Sequence, residues 1–255
     1  MRLQEKRAIV TGAGMGMGRA AALRLAQEGA RVVVADINET AGNETVEAIR
    51  AAGGAAIFVR ADVAQSTQVE AMVAAAERAY GGLDIIFNNA AIQLIGIDTR
   101  AHELEEEIWD RIQSVNLKGV WLCMKYAIAA MLKNGGRGGS IINNASPTGL
   151  VGCAPYDTAY SSAKAGVYGL TRAAAAAYAK EGIRINAIVP GPMDTPLITK
   201  ITSDPQARAA LAQLTPMGRL GKADEIAGLV AFLASDDAAY CTGGIYMADG
   251  GLTAV

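Results

Sequence analysis

The sequence predicts a doubly wound α/β fold, with a seven-stranded parallel sheet carrying helices on both faces within a single domain, 1–255. Short β-branched runs alternate with longer helical stretches along the whole chain, the order that repeated strand–helix–strand units produce. Runs such as Ala8-Ile9-Val10 and Ile85-Ile86-Phe87 are continuously apolar rather than alternating, as a strand must be when helices cover both its faces. The chain has 255 residues, 51% of them apolar and 19% charged, and no composition break, repeat or Pro-rich linker divides it, so one large core suffices.

Taken in order, the strands are 7–11, 31–36, 55–60, 83–88, 140–144, 183–189 and 244–248. Between them the apolar spacing predicts helices at 16–28, 39–52, 67–80, 105–133, 158–180 and 223–234, several with a glycine at the expected stop. The glycine string Gly135-Gly136-Arg137-Gly138-Gly139 reads as a flexible turn before the fifth strand. After the sixth strand the rhythm breaks: 194–221 contains Pro196, Pro205 and Pro216 and has the character of a substrate lid.

Composition narrows the function. A net charge of -2 with no Lys/Arg run offers nothing to nucleic acid or to an anionic membrane surface. The N-terminal residues lack the apolar core of a secretory signal, and no uninterrupted apolar run is long enough for a membrane span, so a cytoplasmic protein acting on small molecules is expected. Cys123, Cys153 and Cys241 are widely spaced and read as buried thiols, not as a disulfide framework or a zinc site. The sole histidine, His102, reads as a surface residue at an acidic helix start, so neither a histidine base nor a metal centre is expected.

Thr11-Gly12-Ala13-Gly14-Met15-Gly16-Met17-Gly18 lies where the first strand passes into the first helix. Glycines there allow a tight turn and close approach of the backbone to a pyrophosphate, and the helix N-terminus favours the anion. Asp36 ends the second strand, at the spacing where a carboxylate accepts hydrogen bonds from an adenosine ribose. A 2′-phosphate would meet that charge, and the neighbours Met15 and Ile37 supply no cation, while Arg19 lies on the helix beyond the turn; NAD is expected over NADP. No Gly-Lys-Ser/Thr follows, which excludes a Walker-type phosphate loop.

Tyr160 and Lys164 stand four residues apart, on one face of a predicted helix. A phenol with its ordinary pKa of about 10 rarely ionises at neutral pH, and lowering that value by about three units needs roughly 4 kcal/mol. A partly desolvated ammonium together with an oxidised nicotinamide is an adequate source.

Over essentially its whole length the chain resembles the short-chain dehydrogenase/reductase family, whose fold is Rossmann-like. The family's Thr-Gly-x-x-x-Gly-x-Gly turn is matched by Thr11 to Gly18, placing Gly12, Met15, Gly16, Met17 and Gly18 at the cofactor, with Asp36 and Ile37 beside the adenosine. Its Tyr-x-x-x-Lys is matched by Tyr160 and Lys164, its Asp-Val by Asp62-Val63, and its Asn-Asn-Ala-Gly by Asn88-Asn89-Ala90-Ala91, where Ala91 departs from the pattern. The resemblance implies that Ser146 hydrogen-bonds the substrate oxygen, Tyr160 exchanges its proton, Lys164 holds the nicotinamide ribose and lowers the phenol pKa, and Asn116 helps hold a relay water. Asn89 would lie near the cofactor, and the turn after the sixth strand, with Pro190, Met193 and Thr195, would hold the carboxamide.

The resemblance also implies a homotetramer formed through two long central helices and the last strand. The activity expected is NAD-dependent hydride exchange between a nicotinamide and a secondary alcohol or ketone. Pocket walls at 93–97, 147–156 and 193–214, mostly apolar, suggest an apolar or alicyclic substrate. Two alternatives stand beside it: a reductase of 3-oxoacyl thioesters, disfavoured by Glu181 and Asp36, and a catalytically silent NAD-binding protein. A dehalogenase-like lyase would lack the glycine turn and carry Arg at position 164.

Overall fold

In the computed structural model, which describes residues 1–255, seven strands form one parallel sheet: β1 (Arg7–Thr11), β2 (Arg31–Asp36), β3 (Ala55–Arg60), β4 (Ile85–Asn88), β5 (Gly139–Asn144), β6 (Ile183–Pro190) and β7 (Ile245–Ala248). Their spatial order is β3-β2-β1-β4-β5-β6-β7, so the winding reverses between β1 and β4, where open α/β sheets leave a crevice at the strand C-termini.

The apolar strand runs divide between two cores. Ile9, Ile86, Ile141 and Val189 face α3 (Ser66–Tyr80), α5 (Gly119–Leu132) and α6 (Thr158–Tyr178). Their neighbours Val10, Phe87, Ile142 and Ile188 face the opposite way, onto α1 (Gly16–Gln27), α2 (Glu39–Ala51) and α9 (Ala223–Ala234). Each side chain so buried contributes about 1.5–3 kcal/mol, and because successive side chains point into opposite cores, neighbours along these runs are both apolar.

Two elements differ from expectation. β4 starts at Ile85 rather than at 83, because Asp84 is taken up by a bidentate pair with Arg7 (2.7 Å from Nε and from Nη2) that clamps the entry of β4 beside β1. The helix expected over 105–133 is three pieces: α4 (Glu106–Gln113), a π-helical segment (Ser114–Lys118) and α5. The break coincides with Asn116, whose amide turns inward and bonds the backbone of Ile92. The run Glu106–Leu132 is long and apolar enough by composition to cross a membrane, but 56% of its most apolar stretch is buried in this protein's own core.

After β6 come a 3-10 turn (Pro196–Ile198), α7 (Thr199–Thr202) and α8 (Pro205–Gln213), none with a buried residue. The segment leaves and returns at one point: Gly221 N–H donates to Pro192 O and Asp194 N–H to Gly221 O, both at 2.9 Å. Of the cysteines only Cys123 is a buried thiol, with burial pushing its pKa up to about 12; Cys153 is exposed and Cys241 half-buried. His102 is at the surface as expected, in a turn ahead of α4.

Candidate active site

A cleft of about 990 Å³ opens at the C-terminal ends of the strands, where the winding reverses. At one end lies the glycine turn. Gly12 has a φ of +61°, which a side chain would resist, and Met15 caps α1 in extended conformation with no side-chain partner for the first-turn amides. Gly12, Met15, Gly16 and Met17 line the cleft. Gly18 does not: a Cβ there would fall 2.1 Å from Gly12 O and 2.6 Å from Asn89 Nδ2, so this glycine lets α1 sit tightly on the turn behind the cleft.

Asp36 and Ile37 also line this end. The two carboxylate oxygens of Asp36 accept from Gly14 N–H at 2.8 Å and from Asn38 N–H at 2.9 Å, which fixes the group while each oxygen keeps further acceptor capacity. Arg19 is turned toward Glu44 on α2, at 4.0 Å. Asp62 and Val63 form the next part of the wall. Asn89 lies in the wall too, but its amide donates to Thr11 O at 3.0 Å and Gly12 O at 3.2 Å, so it holds the turn. Ala91 occupies the wall without disturbing β4.

Toward the middle, Ser146, Tyr160 and Lys164 meet. Lys164 is fully buried, and its ammonium makes one hydrogen bond, to Asn144 O at 2.7 Å; its Nζ lies 5.6 Å from the Tyr160 ring centroid. Desolvation pulls the Lys164 pKa down to about 8. Burial likewise pushes the Tyr160 phenol above its ordinary value, the hydrogen bond with Ser146 opposing and Asp157 and Tyr168 reinforcing. Ser146 Oγ accepts from the Thr148 hydroxyl at 3.1 Å, and Tyr168 donates its hydroxyl hydrogen to Ser146 O.

Asn116 stands apart from the cleft, fully buried. Its Oδ1 accepts from Ile92 N–H at 2.9 Å and its Nδ2 donates to Ile92 O at 2.7 Å, so its side chain ties the π-helical turn to the loop after β4. Pro190, Met193 and Thr195 line the cleft as expected, as do Gln93, Pro147, Thr148, Leu211 and Leu214. Of the anticipated walls, Ile97, Val151 and Tyr156 face solvent instead.

Several supporting residues escape sequence reading. Asp98, buried, reaches the start of α6 and accepts from Ala159 N–H at 3.0 Å and Tyr160 N–H at 2.9 Å, fixing the turn that carries the phenol. Asn143 donates to Thr171 at 2.9 Å and accepts from Asn88 at 2.8 Å, tying α6 to β5 and β4. Asp157 joins Gln93 in the wall, and Leu252 closes it from the C-terminus. Only Asp98 carried a usable signal, as an Asp amid glycine and threonine, and nothing local pairs it with a helix about sixty positions on.

The family profile described as Enoyl-(Acyl carrier protein) reductase matches residues 12–253. The chain belongs to the short-chain dehydrogenase/reductase family. Among relatives in that family, a cyclohexanol dehydrogenase of Acinetobacter sp. is 44% identical, with 99% of this chain and 96% of that protein covered. A 2,5-dichloro-2,5-cyclohexadiene-1,4-diol dehydrogenase of Sphingobium indicum is also 44% identical, with 99% of each covered. The crystal structure of levodione reductase superposes with a TM-score of 0.93 at 37% identity and covers 100% of both chains. The protein is thus an oxidoreductase of this family.

Short-chain dehydrogenases bind nicotinamide cofactors, and the residues present fit one. Lys164 has two N–H hydrogens without a protein partner, Asn144 Oδ1 is buried with none, and the α1 amides are uncapped. These groups would meet ribose hydroxyls, a further donor and a pyrophosphate respectively.

Proposed function

We propose that this short-chain dehydrogenase is a reversible NAD-dependent alcohol dehydrogenase for apolar, alicyclic secondary alcohols and the matching ketones. The observation that carries the reading is that Ser146, Tyr160 and Lys164 meet on the wall of one cleft whose adenosine end carries Asp36 and no free cation. A bound oxidised nicotinamide supplies the hydride acceptor and a positive charge. Ser146 holds the substrate oxygen, and Tyr160 takes its proton during oxidation and returns it during reduction. Lys164 holds the nicotinamide ribose and adds its charge beside the phenol, while Met193 and Thr195 hold the carboxamide. Asn116 acts as a brace. Gly12, Met15, Gly16 and Met17 seat the pyrophosphate, with Asp62, Val63 and Pro190 along the walls.

Asp36 disfavours a 2′-phosphate by like charge, and both Met15 and Ile37 are apolar and exposed beside it. The alicyclic substrate class is supported by the apolar roof from Leu197 to Leu214 and by the relatives' names. Residues 194–221 serve as the lid. The free thiols fit a cytoplasmic setting. Trp121 on α5 and Met247 on the edge strand β7, both about half-exposed, fit assembly into a tetramer through those faces.

The test is nicotinamide absorbance with cyclohexanol and NAD. Wild-type protein turns over, and Tyr160→Phe loses about a thousandfold in kcat while still binding NAD by fluorescence titration. Undiminished turnover in that variant ends the assignment of the proton to Tyr160.

A further inference from the structure

Among the polar residues that line the cleft with Arg111, Ser114 and Thr148, two are joined to each other. Gln93, from the loop after β4, and Asp157, the N-cap residue of α6, both line it, and Gln93 Nε2 donates to Asp157 Oδ2 at 2.7 Å. This bond uses one hydrogen of the amide and leaves its second N–H, Gln93 Oε1 and Asp157 Oδ1 with no protein partner, although neither residue is fully exposed. The orientation is consequential. Left over are the acceptors Asp157 Oδ1 and Gln93 Oε1 and the second hydrogen on Gln93 Nε2, so the pair presents a place for a hydroxyl, which both donates and accepts, beside a carboxylate that repels an anion.

We infer that Gln93 and Asp157 form a subsite for a second hydroxyl on the ring of the substrate, making a cyclic diol, or a hydroxyketone in the reverse direction, the preferred substrate class. Asp157 stands at the N-cap of α6, three residues before Tyr160, and both side chains line the same cleft. A ring oxygen held at Ser146 and Tyr160 therefore leaves a substituent on its far side near Asp157. Burial, and to a smaller degree the neighbouring Asp98, raise the Asp157 carboxyl from its ordinary value, with the Gln93 hydrogen bond opposing. A hydroxyl arriving there replaces few water contacts and gains a charge-assisted bond. A carboxylate at the same ring position would face a like charge.

The inference rests on the alcohol dehydrogenase reading, and a substrate panel separates the two. Wild-type enzyme with NAD is assayed on cyclohexanol, 1,4-cyclohexanediol, 4-methoxycyclohexanol and 4-hydroxycyclohexanecarboxylate. The expected order of kcat/KM places the diol about tenfold or more above the methoxy compound, which keeps the oxygen but lacks the hydrogen, with the carboxylate lowest. In Gln93→Leu and Asp157→Leu the ratio of diol to cyclohexanol falls by about tenfold, chiefly through KM. Turnover of all four alcohols with equal efficiency overturns the subsite and leaves the dehydrogenase reading standing, as does a carboxylate preferred to the diol. No turnover of any of them overturns both. The methoxy comparison needs only wild-type protein, so the inference stays decidable even if a variant fails to fold.

Discussion

The two long sides of the cleft are built on different principles. On the proposed reading the cofactor and catalytic side rests on β1, β2, β4, β5 and the start of α6, where hydrogen bonds fix the Asp36 carboxylate through Gly14 and Asn38, the Lys164 ammonium through Asn144 O and the backbone of Tyr160 through Asp98. The substrate side, from Pro196 to Gln213, contains no buried residue and is secured mainly at its two ends. The first side is held by the core of the protein, the second by local contacts alone. Chemistry is thereby kept where geometry is over-determined, and choice of substrate where it is not.

Lys164 offers the largest effect by which to break that contrast. Its pKa falls from 10.5 to about 8 on burial, so below about pH 8 folding carries the cost of a desolvated ammonium. Between those values the unfolded chain retains a proton that the folded protein has released, and stability conferred at this site rises with pH by about 3 kcal/mol in all. Lys164→Met is expected to be inactive yet more resistant to urea than wild type at pH 7, with the difference shrinking toward pH 10. A difference that does not change with pH would show that the buried charge is not the cause.

A smaller effect is expected at the adenosine end. Asp36→Ser combined with Ile37→Arg removes the carboxylate and supplies a cation, and should move the ratio of NADP to NAD efficiency upward by about tenfold to a hundredfold. Steady-state kinetics with both cofactors would detect it, and an unmoved ratio would mean that this end does not select. The smallest lies on the substrate side: Arg208 meets Asp194 in an exposed pair, at 2.9 and 2.6 Å. Arg208→Ala should leave the urea midpoint unchanged but speed proteolytic cleavage within 194–221. A lowered midpoint would place this segment in the cooperative core after all.

The same contrast governs what the sequence reveals. All seven strands and the glycine turn are legible because continuous apolar runs and a strand-to-helix glycine cluster follow from local backbone physics. Tyr160 and Lys164 are legible because helical spacing alone puts them together. Ser146 required the resemblance, since a lone serine after a strand has no signature. Gln93 was expected in the wall, but its pairing with Asp157 and that of Asp98 with the start of α6 were not legible, because the partners lie far along the chain and only the fold brings them near. The π-helical break at Asn116 was hidden as well: the apolar spacing continues through it, and its cause, the Ile92 backbone, belongs to another element. The burial of both Tyr160 and Lys164 was hidden too, because sequence shows the neighbouring charge but not the solvent each group loses.

Because Pro192, Asp194 and Gly221 are stitched together at its base, the segment between them behaves as an exchangeable cassette. Transplanting the corresponding stretch from another dehydrogenase, cut at those junctions, would alter which alcohols are accepted without re-engineering the sheet beneath.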